Sequence, residues 1–131
     1  MKRVIERRLE ELEVLRKMYG SLEHGPNVEW IVFKEFRLPS GWNKQTTELL
    51  VVIPAGYPAT PPDNFYVAPG LLLASGSMPA NFSKGVSLQG RQWDQFSYHL
   101  DGGWKPAANV MHGDNLQTFI LKVLERLREL N

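Results

Sequence analysis

A proline-rich segment in the middle of the chain, residues 53–67, constrains the fold more than any other feature of the sequence. It reads IPAGYPATPPDNFYV and directly follows the apolar run of residues 49–53. Each proline fixes its own φ angle and disfavours helical backbone at the residue before it, so the segment can neither extend a strand nor start a helix. The sequence therefore predicts a stiff corner, at which a core strand ends and the start of the next strand is fixed.

The strands on either side of this corner are predicted from β-branched and aromatic residues. We expect a strand over residues 28–38, a second over 46–53 and a third over 64–67. The second is apolar at successive positions, and therefore on both of its faces, which is typical of a strand covered on both sides. Turn-forming residues dominate 21–27, which is predicted as loop, and 69–90, which is predicted as loop or short strand.

Two amphipathic helices enclose this region in sequence. Apolar residues at spacings of three and four predict a helix that ends at Gly20, and a second apolar stripe predicts a C-terminal helix. Asp114 is expected to cap the second helix, with Gln117 completing a capping box. Short connections favour antiparallel neighbours, so the predicted fold class is α+β: one domain of residues 1–131, with both helices on one face of the sheet.

Composition excludes several classes of function. The chain has 131 residues, with 15 basic and 14 acidic side chains and no cysteine. Near-neutral charge does not favour nucleic acid as a partner, and no apolar run reaches the about 18 residues of a membrane span. Without cysteine there are no disulfides and no thiolate ligands or nucleophiles, and the scattered histidines predict no metal site and no cofactor. The absence of an apolar leader favours the cytoplasm.

A few side chains are candidates for a functional site because of their residue type and their neighbours in sequence. Trp42, in the turn of residues 39–43, either folds back on the sheet or forms an exposed partner contact. Asp63 follows a proline, and either accepts backbone N–H bonds in a turn or belongs to a site. His99 stands among aromatic residues that include Tyr98, and is either a structural histidine or a site residue.

The corner also carries a resemblance that the rest of the chain supports. Its prolines and tyrosine resemble the P-x-x-Y-P-x-x-P-P signature of ubiquitin-conjugating enzymes and of the related RWD domains: Pro54, Tyr57, Pro58, Pro61 and Pro62. Further along, Trp104-Lys105-Pro106 resembles the W-x-P element that follows the active site of these enzymes. The stretches FRLPSGWN, GYPATPPDNFYV and GRQWDQFSYHL are similar to a bacterial branch, the prokaryotic UBC-like family E. A UBC-like fold is what this resemblance implies.

The resemblance also implies a function and partners. It places the chain in a bacterial ubiquitin-like modification pathway, with defence against phage among the roles implied. The partners it implies are a ubiquitin-like protein, a ThiF-type activating enzyme and a JAB-type peptidase. Tyr57 and Trp104 are expected to pack beside the site and position it. The outer face of the first helix corresponds to the region where the family docks its activating enzyme, although its interleaved charges favour a plain solvated face: Arg3, Arg7, Arg8 and Glu11.

One departure from the family decides which chemistry is open to the chain. Counting back from Trp104 places the family's nucleophile near Phe96 and Ser97, where no cysteine stands. The family's H-P-N tripeptide has its nearest counterpart in residues 78–81, MPAN, which lacks the histidine. A thioester requires a thiol, so thioester chemistry is excluded.

Three functions remain open on the sequence. The domain binds a ubiquitin-like protein or its activating enzyme without covalent attachment, or it is an RWD-like interaction module with no ubiquitin-like partner. Alternatively, Ser97 accepts the acyl group as an oxyester and His99 accepts the serine proton, with Asp94 or Asp101 orienting the histidine. The spacing of Ser97 and His99 puts both on one face if the segment is extended.

Overall fold

The computed structural model describes residues 3–100 and 102–131, which form two helices and six strands. In chain order these elements are α1 (Val4–Tyr19), β1 (Leu22–His24), β2 (Trp30–Arg37), β3 (Thr46–Val52), β4 (Phe65–Val67), β5 (Phe82–Leu88), β6 (Arg91–Phe96) and α2 (Leu116–Arg128). All strands pair antiparallel in one sheet of order β1-β2-β3-β4-β6-β5. The predicted α+β class and UBC-like architecture are confirmed.

The main core lies between the sheet and the two helices. Leu12 and Leu15 of α1, and Phe119 and Val123 of α2, are buried in one cluster with the inward residues of the strands. These helix residues recur at spacings of three and four, which places them on one face of each helix. The prediction that both helices cover the same face of the sheet is therefore correct.

The other face of the sheet carries a smaller apolar cluster. Val32, Leu50 and Trp93 are buried there, packed with half-buried neighbours from the adjoining strands. The guanidinium of Arg91 lies 4.0 Å from the centroid of the Trp93 ring and covers it. This second cluster explains why β3 is apolar on both parities: Leu49 faces the helices, whereas Leu50 faces the opposite side.

The structure corrects one predicted loop and decides between two alternatives in another segment. Residues 22–24, predicted as loop, pair with β2 as the edge strand β1. Residues 69–90, predicted as loop or short strand, contain the whole of β5, which forms a hairpin with β6. Gln89 and Gly90 form the two-residue turn with φ angles of 52° and 75°. Positive φ at both positions is the geometry that lets two strands turn back without splaying.

The capping prediction for α2 is wrong by one residue. Asn115 is the N-cap, and its side chain accepts the backbone N–H of Thr118 at 2.9 Å. Thr118 donates its hydroxyl back to the Asn115 carbonyl and accepts the Asn115 N–H. The Asp114 carboxylate instead accepts the backbone N–H of Lys105 at 2.7 Å. Asp114 therefore closes the loop before the helix.

The expectation of a solvated outer face on α1 is wrong for three of its charged residues. Arg7, Arg8 and Glu11 are only 6%, 7% and 3% exposed. Arg8 donates to the carbonyls of Asn27, Val28 and Pro54, which holds α1 against the β1–β2 turn and the corner. These charged side chains are structural connections between elements.

Neither α1 nor α2, the helices found in the described part of the chain, is long and apolar enough to cross a membrane.

Candidate functional site

The proline-rich corner is held against the W-x-P element by a tyrosine and a tryptophan. Tyr57 is 1% exposed, and its ring centroid lies 6.3 Å from that of Trp104. The indole Nε1 of Trp104 donates to the Pro58 carbonyl at 2.7 Å. The peptide bond between Tyr57 and Pro58 is cis. The two sequence features that carry the resemblance, which lie 46 residues apart, are therefore in direct contact.

Beneath the corner, a buried carboxylate connects α1, the corner and α2. The Tyr57 hydroxyl contacts both carboxylate oxygens of Glu11, at 2.6 and 2.8 Å. Arg7 Nε donates to Glu11 at 2.9 Å, and the backbone N–H of Leu116 at the start of α2 donates at 2.6 Å. Arg7 also donates to the Ala107 carbonyl. Burial and the negative charge of Glu11 raise the pKa of Tyr57 far above its ordinary value of 10.0, so this hydroxyl keeps its proton.

The stretch from Phe96 to His99 lies directly beside the end of the corner. The backbone N–H of Asn64 donates to the Tyr98 carbonyl at 2.7 Å, and the Asn64 side chain accepts the Tyr98 N–H at 2.9 Å. The Ser97 N–H donates to the Asn81 carbonyl at 2.8 Å, so the MPAN segment also borders this stretch. The stretch in which the resemblance implies the family's nucleophile, near Phe96 and Ser97, therefore borders both the corner and the MPAN segment.

Burial alternates along this stretch. Phe96 is buried and Tyr98 half-buried, with their rings in contact with Phe65, whereas Ser97 and His99 are exposed. This alternation is the pattern expected if Ser97 and His99 share one side of an extended segment. Each is bonded elsewhere, however. Gln95 Nε2 donates to Ser97 Oγ at 3.4 Å, and His99 Nδ1 contacts Asp63 Oδ1.

Asp63 therefore stands where Asp94 or Asp101 was expected. Asp94 is buried and accepts the backbone N–H groups of Gly70 and Gly85, each at 3.3 Å. That role stabilises the hairpin bulge, and it is incompatible with orienting His99. Asp101 lies outside the described residues. The Asp63 carboxylate contacts a side chain 36 residues away.

An open groove of about 550 Å³ lies between the segment that contains His99 and helix α2. One wall consists of Tyr98, His99 and Trp104, and the other is polar and charged. The α2 wall is formed by Thr118, Lys122, Glu125 and Glu129, with Asp114 at its start. A group that reached His99 through this groove would pass between an aromatic wall and a charged one.

Trp42 does not form an exposed partner contact. The side chain is 7% exposed, its Nε1 donates to the Leu127 carbonyl at 2.8 Å, and its ring meets the Phe96 ring edge-on at 6.1 Å. Of the two alternatives left open by the sequence, the structure selects the one in which Trp42 folds back. It fastens the turn to the last residues of α2.

A second, mostly apolar groove of about 650 Å³ runs between α1 and the corner. Its walls are small apolar side chains, with an arginine at the rim: Val4, Ala55, Pro58, Ala59, Pro106, Ala107, Ala108 and Arg3. Arg3 is exposed and pairs with Glu6 at 3.1 Å. Arg7 also borders the groove, but its guanidinium is committed to Glu11 and to backbone carbonyls. We call this feature the α1 groove.

The described residues contain no group of three or more His, Cys, Asp or Glu side chains that could hold a metal ion.

Sequence reasoning missed the two connections that define the site. Glu11 meets Tyr57 across 46 residues, and Asp63 meets His99 across 36 residues. From helical periodicity Glu11 is predicted to be solvated, because periodicity does not show whether a carboxylate is buried against donors from other elements. No local pattern signals either pairing.

A sheet of this topology with both helices on one face, and a proline-rich corner fastened to a W-x-P element, agree with a domain of the E2 type. Comparison with protein families agrees. The model of prokaryotic E2 family E matches residues 9–129, and the chain belongs to that family. No curated protein matched significantly, and no solved structure did either. Membership points to a role in a bacterial ubiquitin-like pathway.

Proposed function

We propose that this chain is a non-covalent binding component of a bacterial ubiquitin-like pathway, which binds the ubiquitin-like protein or its ThiF-type activating enzyme. The observation behind the proposal is that an E2-family chain of 131 residues contains no cysteine. Because the thiolate is the group that receives a ubiquitin-like protein as a thioester, the family's usual covalent step is closed to it. Recognition of pathway proteins does not need the thiol.

The α1 groove is the surface we assign to the activating enzyme. It is apolar, it is open, and its alanine side chains leave room for a partner's larger anchor residue. The Arg7–Glu11–Tyr57 connections beneath it fix its walls before a partner arrives. A preformed groove favours affinity because less ordering is required on binding. Arg3 at the rim suits an acidic residue beside the anchor.

Binding should be measured by titration calorimetry against each pathway protein separately: the ubiquitin-like protein, the activating enzyme and the JAB-type peptidase. We expect micromolar or tighter binding of at least one of the first two. Ala108→Asp should weaken binding of the activating enzyme about tenfold or more, because it buries an unpaired carboxylate in the contact. Ala74→Asp changes another exposed alanine, outside the groove, and should leave the affinity unchanged.

Two results would count against this assignment. If the wild-type protein bound neither the ubiquitin-like protein nor the activating enzyme, the proposed function would be wrong and an RWD-like interaction module would be favoured. If binding occurred but Ala108→Asp behaved like Ala74→Asp, the function would stand and the α1 groove would be the wrong surface.

A second candidate function is acyl transfer to Ser97, which the Asp63–His99 contact favours. Ser97 Oγ would attack the carbonyl of a ubiquitin-like C-terminus held as a thioester on the activating enzyme. The C–O bond forms as the C–S bond breaks, and the serine proton passes to His99 and then to the leaving thiolate. The product is an oxyester, and no cysteine of this chain takes part.

This candidate is tested by incubating the protein with the activating enzyme, the ubiquitin-like protein and ATP. We expect an adduct that hydroxylamine removes and that Ser97→Ala cannot form. Ser83→Ala, a change at another exposed serine, should form it normally. An adduct that persists in Ser97→Ala, or no adduct at all, rules out acyl transfer to Ser97 and leaves non-covalent binding.

A further inference from the structure

The contact between Asp63 and His99 joins the end of the proline-rich corner to the segment after β6. Both side chains are exposed, at 61% and 68%, so the attraction between them is screened by water. Their backbones are not free, however. Asn64, next to Asp63, is tied to Tyr98, next to His99, by two hydrogen bonds of 2.7 and 2.9 Å. The contact is therefore imposed by the surrounding chain.

The residues that flank Asp63 restrict its backbone further. Pro61 and Pro62 fix the φ angles immediately before it, and Asn64 has a φ of 59°, in the left-handed region that asparagine tolerates better than most residues. The backbone that carries the Asp63 side chain is therefore held in place on both sides. The Asp63 carboxylate contacts Nδ1 of His99, and this contact affects which ring nitrogen carries the proton.

We propose that Asp63 is a positioning residue that holds His99 through Nδ1, and so presents Nε2 as the proton acceptor for Ser97. A carboxylate at Nδ1 favours the tautomer with the proton on that nitrogen, which leaves the Nε2 lone pair available. The proposal rests on acyl transfer to Ser97, the second candidate function, and names the base and its support. For Ser97 to react, its hydroxyl must donate to His99; Oγ only accepts from Gln95, so the serine proton is available for that bond.

The proposal is tested on the protein alone with p-nitrophenyl acetate, an activated acyl ester. Ser97 Oγ forms a bond to the acetyl carbon, the bond to p-nitrophenolate breaks, and the serine proton goes to His99 Nε2 and then to solvent. Acetylation is followed by nitrophenolate release, and intact-mass and peptide mass spectrometry locate it. Acetyl groups on Ser83, another exposed serine, and on lysines give the background rate.

The expected results separate the role of His99 as the base from the role of Asp63 as the residue that positions it. His99→Gln should slow acetylation of Ser97 about 100-fold, the lower end of what a positioned base contributes. Asp63→Asn should slow it about fivefold, because an exposed pair contributes little. Asp63→Glu should restore most of the rate, since a carboxylate is again available. His112→Gln, at another exposed histidine, should have no effect.

One further measurement would not respond to a merely structural pair. In ¹⁵N spectra, neutral His99 should carry its proton on Nδ1 in the wild type but not uniformly in Asp63→Asn.

The outcomes distinguish this inference from the function on which it rests. The inference is wrong if Ser97 is acetylated no faster than Ser83, or if Asp63→Asn and His99→Gln both react like the wild type. If Ser97 is acetylated through His99 but no ubiquitin-like adduct forms, the Asp63–His99 base is real and the pathway function is wrong. If the adduct forms equally well in both variants, acyl transfer stands and the base lies elsewhere.

Discussion

Glu11 is the residue at which three elements meet, and its burial explains how they keep their places. The carboxylate receives the Tyr57 hydroxyl of the corner, the Arg7 guanidinium of its own helix, and the first backbone N–H of α2. A buried charge is tolerated only when it is paired and hydrogen-bonded, and here it also satisfies a donor that α2 could not satisfy within itself. The geometry of the α1 groove therefore depends on one carboxylate.

At this scale we predict the effect of Tyr57→Phe. Removing the hydroxyl leaves the Glu11 carboxylate, which is 3% exposed, with one donor fewer, and should lower the free energy of unfolding by about 2 kcal/mol. Tyr66→Phe, at a half-buried tyrosine on the opposite face of the sheet, should cost less than about 0.5 kcal/mol. Urea denaturation of both variants checks this. If both lost the same free energy of unfolding, the bond to Glu11 would not contribute more than an ordinary tyrosine hydroxyl.

The helix α2 shows how an element obtains its boundaries. Its apolar stripe was visible in the sequence, but its first residue was not, because Asp114 and Asn115 are both good capping residues. The choice between them depends on the preceding loop. The Asp114 carboxylate accepts the Lys105 N–H, and the Asn115 side-chain amide also donates to the Val110 carbonyl at 2.7 Å. The hairpin β5–β6 was missed because the glycine and serine residues of β5 and of the turn resemble the composition of a loop.

The element-scale prediction concerns this cap. Asn115→Ala removes the acceptor for Thr118 N–H and the donor to Val110, and should destabilise the protein by about 1 to 2 kcal/mol. Lys122→Ala, on the exposed face of the same helix, should change stability by less than about 0.5 kcal/mol. Thermal unfolding monitored by circular dichroism compares the two. If Asn115→Ala proved as stable as Lys122→Ala, the Asn115 cap would not be what secures the start of α2.

Across the whole molecule, charged side chains link strands on the face of the sheet opposite the helices. Glu48 of β3 accepts two bonds from Arg91 of β6, at 2.9 and 3.2 Å, and one from Lys34 of β2 at 3.2 Å. Lys34 also reaches Glu23 of β1 at 2.5 Å. The network spans the sheet from its edge strand to the hairpin that the sequence did not predict. The bonds from Arg91, and then those from Lys34, lower the pKa of Glu48 against the opposing effect of burial.

This lowered pKa predicts a pH-dependent contribution to stability. A carboxyl group with a lower pKa in the folded state stabilises the fold above its ordinary value of 4.5, and the contribution disappears as the pH falls through the folded-state pKa. Glu48→Gln should therefore be less stable than the wild type by up to about 1 kcal/mol at pH 7, and the difference should shrink in acid. Glu35→Gln, on an exposed position of β2, is the control.

Urea unfolding of the wild type and both variants between pH 7 and pH 3 measures these differences. A stability deficit of Glu48→Gln that stayed constant down to pH 3 would contradict the assignment, because the deficit would then come from the shape of the side chain rather than its charge.

The sequence by itself determined the parts of this protein that depend on local rules. Proline stereochemistry placed the corner, apolar periodicity placed both helices, an uninterrupted apolar run placed β3, and the missing cysteine excluded a thioester. Tertiary structure alone decided which polar groups meet: Glu11 with Tyr57, and Asp63 with His99. The physical reason is that backbone preference acts between neighbours in sequence, whereas a hydrogen bond between distant side chains exists only once the core has fixed the distance between them.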